Sequence, residues 1–256
     1  MREVTEPKVY VVGRQVLDNP ALKRFLEDIG RSSWYKDYGA TCGETLSEVA
    51  GRCCYKSFGI GRKSNKDFLS HIIEAKHGSV LEHAVWSFLF HDVSRSLTHE
   101  LVRHRHFSYS QLSQRYVDES DTDFIVPSGI QNTPVLREKW RQGVLLALDL
   151  YKDLASELNL KYSFITDATA RRKMARQEAR SVLPNCTATT VFVTGNARAW
   201  RHFIEMRGSR FADTEIRTLA FMVYDLLKEE APNMFGDYYI GETDGVEEIK
   251  TSNPGV

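Results

Sequence analysis

No stretch of the 256-residue sequence approaches the ~20 apolar residues that a membrane-spanning helix needs. The longest candidate, Ala84 to Phe90, has the length of a strand. The first seven residues, Met1 to Pro7, lack the apolar core of a signal peptide. Cysteine is scarce, with only Cys42, Cys53, Cys54 and Cys186, and none stands in a Cys-x-x-Cys pair. Adjacent Cys53 and Cys54 suit neither a metal centre nor a disulfide framework, so the thiols read as reduced and the protein as cytoplasmic. Net charge is missing too. Thirty-four Lys and Arg balance thirty-four Asp and Glu, which excludes a globally basic nucleic-acid coat and a globally acidic tail protein. Internal repeats, low-complexity tracts and a convincing linker are all absent. At 42% hydrophobic and 27% charged residues the composition is that of a globular chain long enough for a sizeable core.

The zero sum hides a segregation. Residues 95–115 hold Arg95, Arg103, Arg105 and Arg115 against Glu100 alone. Residues 171–180 hold Arg171, Arg172, Lys173, Arg176 and Arg180 against Glu178, and residues 198–210 hold Arg198, Arg201, Arg207 and Arg210 against Glu205. Together these windows carry +10 over 44 residues, and the other 212 carry −10. Twelve of the thirteen cations are Arg, whose rigid fork meets phosphate or carboxylate through two parallel hydrogen bonds. Three such windows, far apart in sequence, point to anionic sites assembled by folding. The alternative is three solvated helix faces. It suits 171–180, where Arg172, Arg176 and Arg180 recur every four residues, better than 95–115, where Phe107, Tyr109 and Tyr116 interleave with the charges.

Periodicity gives a short strand over 8–12, a loop over 30–43, and helices over 45–56 and 65–76, the second capped by Ser64. Gly59-Ile60-Gly61 lacks the third glycine and the leading strand of a phosphate loop. A buried strand runs from Ala84 to Val93, followed by a Ser94-capped helix through His104 and a loop plus strand over 107–117. Long helices follow over 135–158 and 167–182, the latter stopped by Pro184. A β-branched strand at 187–194 leads to an Asn196-capped helix through Met206, then a helix over 213–230. The tail from Asp244 is polar and reads as loose. This is an α+β pattern, a mixed sheet with several long helices, read as one domain over 1–256. The strands are too scattered for a doubly wound sheet.

The sharpest motif is Arg103-His104-Arg105, then seven residues, then Ser113, within the stretch Arg103-His104-Arg105-His106-Phe107-Ser108-Tyr109-Ser110-Gln111-Leu112-Ser113-Gln114-Arg115. It resembles the signature of the flavin-dependent thymidylate synthases. Four further segments resemble the family in order and spacing: Ser79 to His83, Thr98 to Val102, Ala179 to Pro184, and Gly195 to Phe203. The likeness covers residues 44–240. It implies reductive methylation of dUMP to dTMP, with 5,10-methylenetetrahydrofolate as carbon donor, FAD as hydride carrier and NADPH as reductant. It also implies a homotetramer with active sites where subunits meet. No nucleic acid, membrane or metal enters this reading.

By that resemblance Ser79, Arg103, His104, Arg105, Gln111, Asn196, Arg198 and His202 contact FAD. Glu100, Arg103, Gln111, Leu112, Ser113, Gln114, Arg115, Arg180 and Arg207 hold dUMP. Arg207 matches the residue that acts at N3 of the uracil ring. Many members carry Glu where this chain has Gln111; Glu only accepts, whereas Gln donates and accepts. The residues support the chemistry independently. FAD, dUMP, folate and NADPH all bring anionic groups, and a flavin performs the redox step while protein supplies binding and electrostatics. Arg198 and His202 lie four apart on one helix face, whereas Arg207, nine beyond Arg198, falls on the opposite side at ~100° per residue. That helix is therefore expected to stand between two pockets, or to fray near Gly208. Tyr55, Trp86, Phe107, Tyr109 and Trp200 could stack on flavin, folate or base; most of them read as core, and none is nominated as a stacking partner. A conventional thymidylate synthase is unsupported, because Cys186 follows Asn185 and not a proline. The rival readings are an Arg-rich nucleic-acid-binding module and a hydrolase built on Ser108 or Ser113 with His104 or His106. The first is disfavoured by the neutral charge, the second by the missing Gly-x-Ser-x-Gly elbow.

Overall fold

The computed structural model describes residues 1–34 and 39–256. Within the loop expected over 30–43, positions 35–38 lie outside the described residues. In chain order the elements are β1 (Glu3–Val4), β2 (Lys8–Arg14), α1 (Asn19–Asp28), α2 (Cys42–Tyr55), α3 (Asn65–Glu74), a 3₁₀ helix (Gly78–His83), β3 (Val85–Ser94), α4 (Arg95–Leu101), β4 (Ser108–Gln111), β5 (Phe124–Ile125), α5 (Ser128–Gln131), α6 (Pro134–Lys161), α7 (Ala168–Ala179), a second 3₁₀ helix (Arg180–Val182), β6 (Ala188–Asn196), α8 (Ala197–Arg207), α9 (Thr214–Glu230), α10 (Pro232–Phe235), β7 (Tyr238–Thr243) and β8 (Val246–Thr251). The architecture is α+β. Strands β2-β3-β6-β4 form a four-stranded sheet in that order, and β1-β5 and β7-β8 form two-stranded sheets.

Local chemistry sets most boundaries. Asp18, Ser64, Ser94, Asp167, Asn196 and Asp213 each accept a backbone N–H from the first turn of the helix they precede. α2 begins at Cys42, earlier than the expected Thr45, because Glu44 reaches back to accept from the Thr41 N–H at 2.8 Å. α4 stops at Leu101 rather than His104, since Phe107 N–H closes a tight turn on the His104 carbonyl at 3.2 Å. α7 tightens into the 3₁₀ turn at Arg180 before reaching Pro184.

The tail is where expectation and structure part. Residues from Asp244 onward are not loose: β7 and β8 pair antiparallel, with Thr243 opposite Val246. The two-residue connection Asp244-Gly245 has φ of +53° and +76°, the left-handed pair that a tight hairpin needs and that Asp-Gly tolerates. Ile249 and Val256 are buried.

Contact density divides the chain into two compact units that interleave in sequence. The first comprises Met1–Lys8, Leu89–Arg103 and Tyr109–Phe192. Here α6 packs on α7, and Phe124, Val144 and Leu148 form a core flanked by Trp140 and Cys186. Asp92 is buried between ion pairs to Arg2 and Lys8. The second comprises Val9–Phe88, His104–Ser108 and Val193–Val256. Its centre is aromatic: Trp200, with no exposed surface, stacks obliquely on Phe107 (4.2 Å) and edge-on to Phe88 (4.7 Å). Gly195 is obligatory there, because a Cβ would stand 2.2 Å from the Phe107 ring. A buried polar network holds α2 and α3. Arg52 donates to Glu48 (2.7 Å) and to the Ser57 and Arg62 carbonyls, so the Gly59-Ile60-Gly61 turn lies over a structural arginine. Arg201, fully buried, forks onto Asp237 at 2.6 and 2.8 Å.

Candidate active site

Two sets of predicted site residues fall in different units. In the second unit a concave cavity of about 530 Å³ is lined by Glu82, His106, Asn196, Arg198, Ala199, His202, Glu205, Gly255 and Val256. Three of the residues expected to meet FAD, namely Asn196, Arg198 and His202, line it together. The sequence explains their convergence. Asn196 caps α8 by accepting from Ala199 N–H at 2.9 Å, which fixes the first turn of the helix and so the rotational phase of Arg198 and His202. Arg198 crosses Gly78 so closely that a Cβ there would lie 2.9 Å from its Nε, and its Nη1 meets Glu82 at 2.7 Å. Ser79 and Arg105 are exposed and do not line the cavity, and His104 is buried away from it.

Volume and donors both fit part of a flavin dinucleotide. The cavity lies in the range of cofactor clefts, ~300–1,000 Å³, and the guanidinium of Arg198, the imidazoles of His106 and His202 and the opening turn of α8 all suit a diphosphate. Sequence reading offered His106 only as a base of the rival hydrolase and Glu82 only within a matching segment, and gave no site role to Glu205 or to the Gly255-Val256 wall. Adjacency to the Arg-His-Arg motif could have found His106. Nothing local could have found Gly255 and Val256, which are brought in by the hairpin and held by Gly255 N–H donating to Glu205 at 2.9 Å.

Arg198 and Arg207 part company as their nine-residue spacing requires. α8 is continuous to Arg207 and ends at Gly208 without fraying. Arg198 turns to Glu82, whereas Arg207 Nε donates to His104 Nε2 at 2.9 Å. Burial first, then the charges of Arg207 and His202, pull the His104 pKa from 6.5 down to about 4. His104 is therefore neutral at pH 7, and its Nε2 is engaged by an arginine, which removes it as a base for a serine nucleophile.

In the first unit the residues expected to hold dUMP cluster around the exit of β4. Gln111 Nε2 donates to Thr98 Oγ1 at 3.0 Å, and Leu112 N–H to the Thr190 carbonyl at 2.9 Å. Ser113 then starts a turn: Tyr116 and Val117 N–H both donate to its carbonyl, and Arg115 N–H approaches its Oγ at 3.4 Å. Gln114 Nε2 and Arg115 Nε, immediately beyond Ser113, are buried donors with no hydrogen-bond partner. Arg95, a residue to which sequence gave no role, reaches the Leu112 carbonyl at 3.3 Å. Burial first and the nearby Arg180 charge hold its pKa below the ordinary value, against the opposing pull of Glu119. Arg95 and Arg180 thus crowd like charge beside the Ser113 turn. Arg103 is exposed, and Glu100 half-buried at the end of α4.

Other arginines of the three windows are structural. Arg176 pairs with Asp118 (2.7 Å) and the Tyr116 carbonyl, Lys173 with Tyr116 Oη, and Arg210 with Asp244. Arg172 is exposed and keeps a solvated position, reaching Thr169 at 3.5 Å. Trp86, Phe107 and Trp200 are core, as read; Tyr55 is exposed and stacks on His77, and Tyr109 donates to the Leu101 carbonyl at 2.6 Å.

Comparison with known proteins bears on the family. Residues 40–233 match the family model Thy1, described as thymidylate synthase complementing protein. A curated flavin-dependent thymidylate synthase of Mycobacterium avium is 46% identical over 222 residues, covering 86% of this chain and 88% of its own. Its counterpart in Mycolicibacterium vanbaalenii is 47% identical over the same length, with the same coverage. Among solved structures, a UMP/dUMP methylase, PolB, from Streptomyces cacaoi bound with 5-Br UMP superposes with a TM-score of 0.64 at 18% identity, over 92% of this chain and 95% of that one. That likeness shows a shared fold. On the family match and the curated relatives, the chain belongs to the flavin-dependent thymidylate synthases.

Proposed function

We propose that this chain, within the activity of its family, divides its work between the two residue sets just described. The reaction is methylation of dUMP to dTMP with 5,10-methylenetetrahydrofolate as carbon donor, FAD as cofactor and NADPH as reductant. Ser113, Gln114 and Arg115 receive the nucleotide phosphate, with Arg95 and Arg180 supplying charge and Glu100, Arg103, Gln111 and Leu112 surrounding the nucleoside. The observation that carries this assignment is the pair of orphaned donors, Gln114 Nε2 and Arg115 Nε. Leaving a buried donor unmet costs about 1–3 kcal/mol, more when it is charged, and an anionic ligand satisfies both. Asn196, Arg198, His202 and His106 hold the flavin dinucleotide; Ser79, Arg103, His104, Arg105 and Gln111, which the family resemblance also assigns to FAD, do not line this cavity.

When bound, FAD supplies the hydride that reduces the transferred one-carbon unit. This chain's own contribution to the bond-forming step is Arg207. A guanidinium at N3 and its flanking carbonyl stabilises the negative charge that develops as the ring is activated, which makes C5 nucleophilic. Lys cannot reproduce that two-point geometry, so Arg207→Lys is expected to fold and to lose most dTMP formation.

The chain forms a single-domain protomer of a cytoplasmic homotetramer whose active sites lie where subunits meet. Support for the assembly comes from α6, where Leu146, Leu150 and Leu154 recur every four residues and are all exposed, an apolar stripe that solvent disfavours. Support for the compartment comes from four free thiols. The test is anaerobic. NADPH should bleach the bound flavin, and addition of dUMP with methylenetetrahydrofolate should restore its colour with stoichiometric dTMP. Flavin that stays reduced after dUMP and methylenetetrahydrofolate are added, with no dTMP formed, would defeat the proposal.

A further inference from the structure

α8 delivers Arg207 at its last turn, and the arginine is held at both ends. At its root, Gly208 N–H donates to the Ile204 carbonyl at 2.8 Å, and Ile249 N–H of β8 donates to the Gly208 carbonyl at 2.9 Å. A Cβ at 208 would stand 2.6 Å from the Ile204 oxygen and 2.9 Å from Ile249. Only glycine lets the hairpin close on the helix end. At its tip, Nε donates to His104 Nε2 at 2.9 Å. An N–H donor can be met only by an unprotonated ring nitrogen, so this bond fixes the tautomer: the lone pair is on Nε2 and the proton on Nδ1. The imidazole cannot swing away freely. Phe203 and His202 meet it edge-on at 5.3 and 5.6 Å, and Phe107 lies tilted against it at 6.1 Å. Phe107 is in turn locked between Gly195 and Trp200.

We infer that His104 is a positioning residue for Arg207: its neutral Nε2 holds the arginine at Nε, and so fixes the plane in which the two terminal nitrogens meet the uracil ring. The inference rests on the reading of Arg207 as the group acting on that ring, and adds a reason for a histidine at the centre of the Arg-His-Arg motif. A neutral acceptor orients the guanidinium without quenching its charge. A carboxylate in the same place would orient it equally well and would spend that charge before the substrate arrived. The depressed pKa keeps the acceptor neutral throughout the working range, and among the described residues the charged or titratable groups that lower it are Arg207 and His202.

The experiment compares His104→Gln, His104→Leu, His104→Glu and Arg207→Lys in the FAD-loaded enzyme, with kcat, KM for dUMP, FAD affinity and Tm measured for each. Gln retains a neutral acceptor where Nε2 stood. His104→Leu should lower kcat by about 10- to 100-fold, since misaligning a reacting group by about 1 Å costs up to ~100-fold, with FAD affinity unchanged. His104→Gln should recover most of that loss. His104→Glu should fold with FAD bound and remain slow. The double variant His104→Leu/Arg207→Lys should be no slower than Arg207→Lys. Turnover retained by His104→Leu, or a loss seen only in FAD affinity, overturns the inference while Arg207→Lys still reports on Arg207 itself. Turnover retained by Arg207→Lys would instead remove the reading beneath it. Should His104→Leu fail to fold, nitrogen NMR of the unmodified enzyme decides: an Nδ1–H tautomer that stays neutral to pH 5 supports the inference, and an Nε2–H tautomer or a titration near 6.5 overturns it.

Discussion

Adding one methyl group at Gly195 tests whether the aromatic wedge holds the active site in place. In Gly195→Ala the new Cβ would stand 2.2 and 2.4 Å from two ring atoms of Phe107, and 3.3 Å from the Trp200 indole nitrogen. Carbon contacts settle at ~3.5–4.0 Å, so the ring must retreat by more than about 1 Å. It has nowhere easy to go. Phe107 is 7% exposed and lies 4.2 Å from Trp200, which is fully buried and donates its indole N–H to the Gly195 carbonyl at 3.0 Å. Overpacking a rigid site costs about 1–3 kcal/mol, and the severity of this clash places it near 3. For a chain of this size each kcal/mol moves Tm by about 2–4 °C, giving a fall of about 6–12 °C. Because Phe107 N–H closes the turn on the His104 carbonyl, the displaced ring should also drag His104, and kcat should fall beyond what lost stability explains. Adding Phe107→Leu to Gly195→Ala frees ring volume and should return part of the Tm, a coupling visible in a double-mutant cycle. Thermal unfolding and steady-state turnover of the three variants make the assay. A Tm within about 2 °C of the parent for Gly195→Ala would refute the wedge.

Two further expectations concern charge. Arg198 pairs with Glu82 across Gly78 at the mouth of the cavity, and both are half-exposed. Allowing for solvent screening, Arg198→Ala should weaken FAD affinity about tenfold by flavin-fluorescence titration, with KM for dUMP much less affected; unchanged affinity would move the diphosphate elsewhere. Asp237 balances the fully buried Arg201, and Asp237→Ala should cost about 3–5 kcal/mol in urea unfolding, because it strands a buried charge. Burial alone would raise the Asp237 pKa, but hydrogen bonds from Arg201, Thr251 and Asn253 together hold it below 3.8. Its contribution is therefore complete above the unfolded value and is lost as pH falls through and below ~3.8. The gap between parent and variant should be constant from pH 7 to 5 and should narrow below pH 4; a gap that widens on acidification would contradict the assignment.

Much of this was legible in the sequence, for physical reasons that differ by element. Helix starts were readable because Ser64, Ser94 and Asn196 cap by local hydrogen bonds that need no tertiary context. The divergence of Arg198 and Arg207 was readable because it is a property of helical pitch. The hairpin from Tyr238 was not read, although Asp244-Gly245 is a strong two-residue turn signal. Its strands are largely polar, and what orders them is distant: Gly208 at the end of α8, and Glu205 holding Gly255. The roles of Arg95 and Arg201 were equally hidden. Both sit in Arg-rich windows, but one serves the Ser113 turn and the other an ion pair with a residue 36 positions away. Charge runs reveal that cations are present; which are free for a ligand is decided by the carboxylates that folding brings to them.

The most direct measurement of the central claim is calorimetric titration of dUMP and of FAD, separately, into the parent enzyme, Gln114→Leu and Arg115→Met. If the orphaned donors beyond Ser113 await a nucleotide phosphate, both variants should lose at least about tenfold in dUMP affinity, keep their FAD affinity, and hold or gain stability without ligand. Unchanged dUMP binding, or an equal loss for FAD, would contradict it.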